Sequence, residues 1–361
     1  MSPLTHPPLS ARRSERRESA GPDAGQGGGL AGLLWLTWRQ HRWALIGSVV
    51  LTAALAGWMT YLASDLMSIY HQCHDTMCPD SSVQEARLTA SFGPFRIAND
   101  LLQFVEFLPL LIGMFLGVPL LAREHEQRTL LLAWSQDVSP MRWLWTKVAV
   151  LGLVVAALTT AFSVASTRVA HAMADVSAGG LFSGSMFLDS GMLPLAAGLC
   201  WFAIGLALGA AVRRVLPAAV AVIVGFIGLL YFVEWRYPTL MTPMSRFQAV
   251  GAPDDPGGAL GINDLRIKGG ISVGADRVTN LYDSSRHALD YTRLRAVCPD
   301  LGPGSLPDCM VRHHFLTFVQ YQPASRIGDF HLILATGYLS LGVLALAALW
   351  LLVRRTSLSA G

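Results

Sequence analysis

Six stretches of this chain are apolar for close to 20 residues each: 44–63, 101–122, 148–167, 192–212, 216–233 and 332–353. A helix rises about 1.5 Å per residue, so about 20 apolar residues cross a hydrocarbon core roughly 30 Å thick. Nothing else in the sequence limits the fold as strongly. Only 14% of the 361 residues are charged, against roughly 25% in soluble domains. Two soluble domains of this length would lack the charge to coat their surfaces. The expected fold is an all-α membrane protein with six transmembrane helices and a small extracytoplasmic domain between helices five and six. The net charge of +3 is too small to imply a nucleic-acid partner.

The fourth and fifth stretches are separated by Arg213 and Arg214. A single long helix would hold two adjacent arginines at bilayer depth, at a cost of several kcal/mol. The pair therefore predicts a tight turn in water. Orientation follows from the cations of the short loops. With the N-terminus inside, the inner segments hold fourteen Lys and Arg, among them Arg39, Arg42, Arg213, Arg354 and Arg355. The two short outer loops hold three, Arg87, Arg96 and Arg168. This split predicts a multi-pass protein of the cell membrane with both termini cytoplasmic.

In that orientation Cys73, Cys78, Cys298 and Cys309 all fall outside, in two close pairs, while Cys200 is alone inside the fourth stretch. Two local disulfides are the reading for an oxidising compartment. For the first pair, a soft-metal site built from His71, Cys73, His74 and Cys78 with Met77 is the alternative. Residues 1–32 are rich in Pro, Gly and Arg and read as a disordered cytoplasmic tail. Residues 33–43, LLWLTWRQHRW, read as an interfacial helix or as a plain aromatic belt at the start of a span. Residues 44–234 hold spans one to five, 235–330 the extracytoplasmic domain, and 331–361 the sixth span and a cytoplasmic tail. Within the domain, 284–297 looks helical.

The segment 121–147, LAREHEQRTLLLAWSQDVSPMRWLWTK, carries the most information. Glu124 and Arg128 stand i to i+4 in the favourable order, which extends the second helix beyond the membrane. Ser139-Pro140 reads as an N-cap with proline at the first helical position. The prediction is a helical hairpin, against the simpler reading of a solvated loop. The run resembles the cytoplasmic loop of the ATP-binding-cassette type-2 permeases. That family has an E-x-E-x-G-T stretch, then leucines, a Ser-centred turn and a Lys opening the next span. Here the corresponding residues are Glu124, Glu126, Thr129, Leu131, Ser139 and Lys147, with Arg128 in place of the family's glycine. The six-span layout and the TWRQHR run at 37–42 agree, and VQYQPASRIGDF at 319–330 looks like the pre-helix segment of actinobacterial members.

The resemblance implies a coupling hairpin that docks on a separate cytosolic ATPase. It assigns Arg123, Glu124, Glu126, Arg128, Thr129, Ser139 and Lys147 to that contact. It implies no cofactor in this chain, since the partner ATPase binds ATP and Mg, and a second permease copy or paralogue as partner. Consistently, neither Lys147 nor Lys268 sits in a G-x-x-x-x-G-K-[ST] loop. No catalytic constellation or metal site stands out: His125-Glu126 lacks the second histidine of H-E-x-x-H, and G-x-S-x-G is absent. Glu106, about a turn inside the second stretch, is the ionisable residue at membrane depth. It reads as a substrate-pathway residue that meets a cation, or as a partner of Arg96 or Arg168. The resulting expectation is the permease subunit of an ATP-driven exporter. The alternative is a membrane-anchored sensor or interaction protein whose extracytoplasmic domain binds a ligand.

Overall fold

The computed structural model describes residues 30–75, 93–126, 140–176, 180–182, 184–250, 263–274, 277–302 and 305–358. Among the described residues, six helices are long and apolar enough to cross a membrane: Leu45–His71, Pro94–Arg123, Leu144–Asp175, Leu193–Val212, Val215–Thr239 and Ala324–Arg355, spans one to six. They cover the six stretches read from the sequence. All but the fourth run further than the apolar pattern indicates. The extensions hold residues that hydropathy scores as polar, yet a helix tolerates them. Ser64 donates to the Thr60 carbonyl at 3.0 Å and Ser68 to that of Asp65 at 2.8 Å, so their hydroxyls are satisfied within the helix.

Residues 33–43 do not form a separate helix. One helix runs from Leu30 to Asp75, through the interfacial segment, the first span and three residues of the expected tail. No proline interrupts this run, so nothing ends the helix at the membrane border. Span two begins at Pro94 behind Gly93, whose extended backbone suits a helix start. It contains Pro109, which has no N–H to offer the Val105 carbonyl. Beyond it the turn Gly113–Gly117 is π-helical before α-helix resumes at Val118–Glu126. Span three is part of the helix described over Pro140–Val176. Ser139 itself lies outside the described residues.

Span four is the hub. It packs against spans two, three, five and six. Span four ends at Arg213, in the left-handed region at φ 58°; Arg214 is extended, and span five starts at Val215. Both arginines are exposed, so the expected tight turn is present.

The segment between spans five and six corrects the all-α expectation. It holds a three-stranded antiparallel sheet of order β1-β5-β2, from Met244–Ala249, Leu316–Gln322 and Leu265–Lys268. Met244 pairs with Tyr321 and Ala249 with Leu316 across its longest ladder. The β5 sequence LTFVQYQ is rich in β-branched and aromatic residues, which suit a half-buried pleated surface. A smaller pair, β3 (Ser272–Val273) and β4 (Val278–Thr279), lies beside it. The helix expected over 284–297 is confined to Tyr291–Val297. Asp290 is the reason: its carboxylate accepts from the Arg293 N–H and the Thr292 hydroxyl, both at 2.8 Å, and so caps a new start. Upstream, Asp283 accepts from the N–H groups of Ser285 and His287 and folds a turn. Cys298 and Cys309 are bonded beneath this helix and Ser305–Arg312, among Leu281, Leu294, Met310 and Phe315. The Cys73–Cys78 reading falls outside the described side chains.

The sheet is tied to the ends of both flanking spans. Gln322, fully buried, donates to the carbonyls of Met241 at 2.7 Å and Pro238 at 3.3 Å. Arg326 donates to the Thr242 carbonyl at 2.9 Å. β5 passes through Pro323 and the turn Ala324–Arg326 directly into the helix Ile327–Leu358.

Candidate functional site

Two places merit functional attention, one at each extreme of polarity. The first is the end of the bundle where spans two and three meet the Arg213–Arg214 turn. Arg123 is exposed there in the last turns of span two. Glu126 is exposed as well, and its carboxylate accepts from the Val215 N–H at 3.0 Å. This caps the first turn of span five, where free N–H groups and the positive end of the helix dipole favour an anion. Glu126 thus ties the end of span two to the start of span five. Lys147 differs from its neighbours: it is buried, at 5% exposure, on the helix Pro140–Val176. Glu124 is on the same helical segment as Arg123 and Glu126, but its side chain is outside the described set. Arg128, Thr129 and Ser139 lie outside the described residues altogether. The structure therefore brings Arg123 and Glu126 to one bundle end, and residues 127–139 lie outside the described residues.

The second place is inside the bundle. Glu106 is half-buried on span two, and no ion pair joins it to Arg96 or Arg168 among the described residues. It lines a cavity of about 30 Å³ together with Asp189, Trp201, Tyr338 and apolar residues of spans two, four and five. That is room for one or two water-sized groups. Leu229 and Leu230 of span five border it on one side, and both are only half-buried.

Asp189 reaches the cavity through a short connection that folds back into the bundle. The helix Gly184–Leu188 precedes it, and Gly191 follows at φ 63°, a conformation that glycine adopts without strain. A side chain at 191 would also collide with the His331 ring. Span three holds the connection from one side: the Ser163 hydroxyl donates to the Gly191 carbonyl, and the Gly191 N–H donates to the Thr167 hydroxyl at 2.8 Å. Span six holds it from the other: His331 stacks on Phe187 at 4.7 Å, and its Nε2 lies 3.0 Å from the Phe187 carbonyl. Phe182, Phe330 and Tyr237 complete an aromatic wedge around Phe187.

The outcome is an aspartate with 3% exposure whose Oδ2 has no hydrogen-bond partner among the described residues. The Glu106 carboxyl lines the same cavity as Asp189. Among the described residues, none that lines the cavity is Lys, Arg or His. Sequence reading singles out Glu106 and misses Asp189, Trp201 and Tyr338. The signal for Asp189 was present: an acidic residue in MFLDSGMLPL, with apolar runs on both sides.

Comparison with known proteins comes from family models alone. Residues 49–236 match a family described as ABC-2 membrane transporter related. Residues 239–327 match one described as a domain of unknown function (DUF8319). No curated protein and no solved structure matches the chain. The border between the two matched regions falls in the last residues of span five, shortly before β1.

Proposed function

The chain belongs to the ABC-2 membrane transporter related family, and on that premise we propose that it is the membrane-spanning permease subunit of an ATP-driven exporter of the cell membrane. It holds no ATPase site of its own and is not an enzyme. A separate cytosolic ATPase binds ATP and Mg and docks on the 121–147 hairpin. Both termini are cytoplasmic, and a second permease copy or paralogue completes the pathway. The segment between spans five and six is extracytoplasmic, which agrees with its bonded Cys298 and Cys309.

The observation that supports coupling most directly is the Glu126 cap on Val215. Force on the end of span two reaches span five through that carboxylate, and span five reaches span four through the short Arg213–Arg214 turn. A partner needs only one handle to move three spans. Nucleotide-dependent docking then biases a rigid-body rearrangement, provided the partner binds the two arrangements with different affinity.

The test is co-purification from native membranes, read as ATP hydrolysis in the eluate. Wild type carries an ATPase, and a double charge reversal, Arg123→Glu with Arg128→Glu, strips it away. If the reversed protein keeps its full ATPase complement, the hairpin is not the docking site. A wild-type eluate without ATP hydrolysis favours the sensor alternative.

A further inference from the structure

The cavity between spans two, four, five and six contains two acidic side chains, and what it lacks points to an occupant. Asp189 is buried with one oxygen unpartnered, and Glu106 shares the same small space. Among the described residues, no cationic side chain lines it. Two carboxylates so placed, one buried and one half-buried, repel each other and lose hydration unless a proton or another cation lies between them.

We propose that this cavity binds a monovalent cation of ammonium size. Asp189 and Glu106 supply the negative charge, the Tyr338 hydroxyl an acceptor, and the Trp201 ring a π-face. The lining selects against a divalent ion, which takes six or more oxygen ligands or keeps much of its water. Apolar walls and an indole suit a weakly hydrated cation. Room for one or two water-sized groups fits an ammonium head and no more. Next to it, Pro109 has no N–H for the Val105 carbonyl, and both residues line the cavity.

Such a head has two sources. It is a free inorganic ammonium-like ion, or it is the polar end of an amphiphilic amine whose hydrocarbon lies along half-buried Leu229 and Leu230. Taking the amine as cargo rests on the permease reading above; the binding site does not.

Calorimetric titration of the full chain in lipid nanodiscs separates these sources without any ATPase present. One arm uses ammonium chloride and the other hexylammonium chloride, with hexanol as the neutral control. Saturable binding is expected for at least one cation, weakened about tenfold or more by Asp189→Asn and by Glu106→Gln, as for loss of a charged hydrogen bond. Both substitutions keep side-chain shape, and either one carries the test if the other fails to fold. Tighter binding of hexylammonium assigns the amphiphile, and equal binding assigns the inorganic ion. The proposal falls if neither cation binds wild type better than the variants, or if hexanol binds as well as hexylammonium. Failure here leaves ATPase docking intact, and failure of docking leaves cation binding intact, so the two readings are separable.

Discussion

Spans four and five are neighbours in sequence, joined by two arginines, and both are apolar from end to end. In the folded bundle they have opposite positions. Of the residues in its most apolar stretch, 61% are buried in span four and 17% in span five. Hydropathy does not separate them. Glycine placement does. A Cβ at Gly209 would lie 2.6 Å from the Val118 carbonyl oxygen of span two, and one at Gly205 would overlap that of Gly113. In return, a Cβ at Gly113 or Gly117 would lie 2.8 Å from a carbonyl oxygen of span four. The two backbones touch. On span five, a Cβ at Gly228 would meet nothing within 4 Å. In lipid, where apolar surface alone gives helices little reason to associate, close backbone approach through small residues selects the helix that becomes the hub.

The contrast breaks most sharply at the glycines. Gly205→Val should abolish the folded bundle or destabilise it by more than about 4 kcal/mol, since two backbones must separate. Gly228→Val should change stability by less than about 1 kcal/mol. Thermal half-points from fluorescence-detected size exclusion compare the two, and similar half-points would refute the hub assignment. Next come side chains. Leu206 is fully buried and Val224 is 66% exposed. Leu206→Ala should cost about 2–5 kcal/mol through the cavity it leaves, whereas Val224→Ala should be near neutral in the same assay. The smallest effect is at the junction of the two spans. Glu126→Ala removes the Val215 cap and should cost about 1 kcal/mol, with Glu126→Asp or Glu126→Gln recovering part of it. A wild-type half-point in Glu126→Ala would show that the cap does not hold span five.

Much of this architecture is legible in the sequence because membrane length and arginine position are one-dimensional properties. The six spans, the Arg213–Arg214 turn and the close Cys298–Cys309 spacing can each be read from it, although the span ends are missed by up to about eight residues. What is not legible depends on contacts far apart in the chain. Asp189 reads as a polar loop residue before span four. It becomes a buried carboxylate only because Ser163, Thr167 and His331, from two other spans, draw its loop inward. β5 carries the alternation of a strand, but its partners lie about 50 and 75 residues upstream, from separate turns of the chain. Glu126 reads as a surface charge of a docking loop, and its role at Val215 requires knowing which two helix ends meet.

The clasp of β1 and β5 has a mechanical consequence. Spans five and six both lean on span four rather than on each other, and at one end strand pairing and the Gln322 and Arg326 hydrogen bonds hold them together. A pair of rods riveted at one end parts only at the other, like tongs. The rivet is the sheet, and the tips carry Arg214 and Arg354. Over a span of about 30 Å, a rotation of about 10° at the rivet opens the tips by about 5 Å, with the sheet end almost stationary.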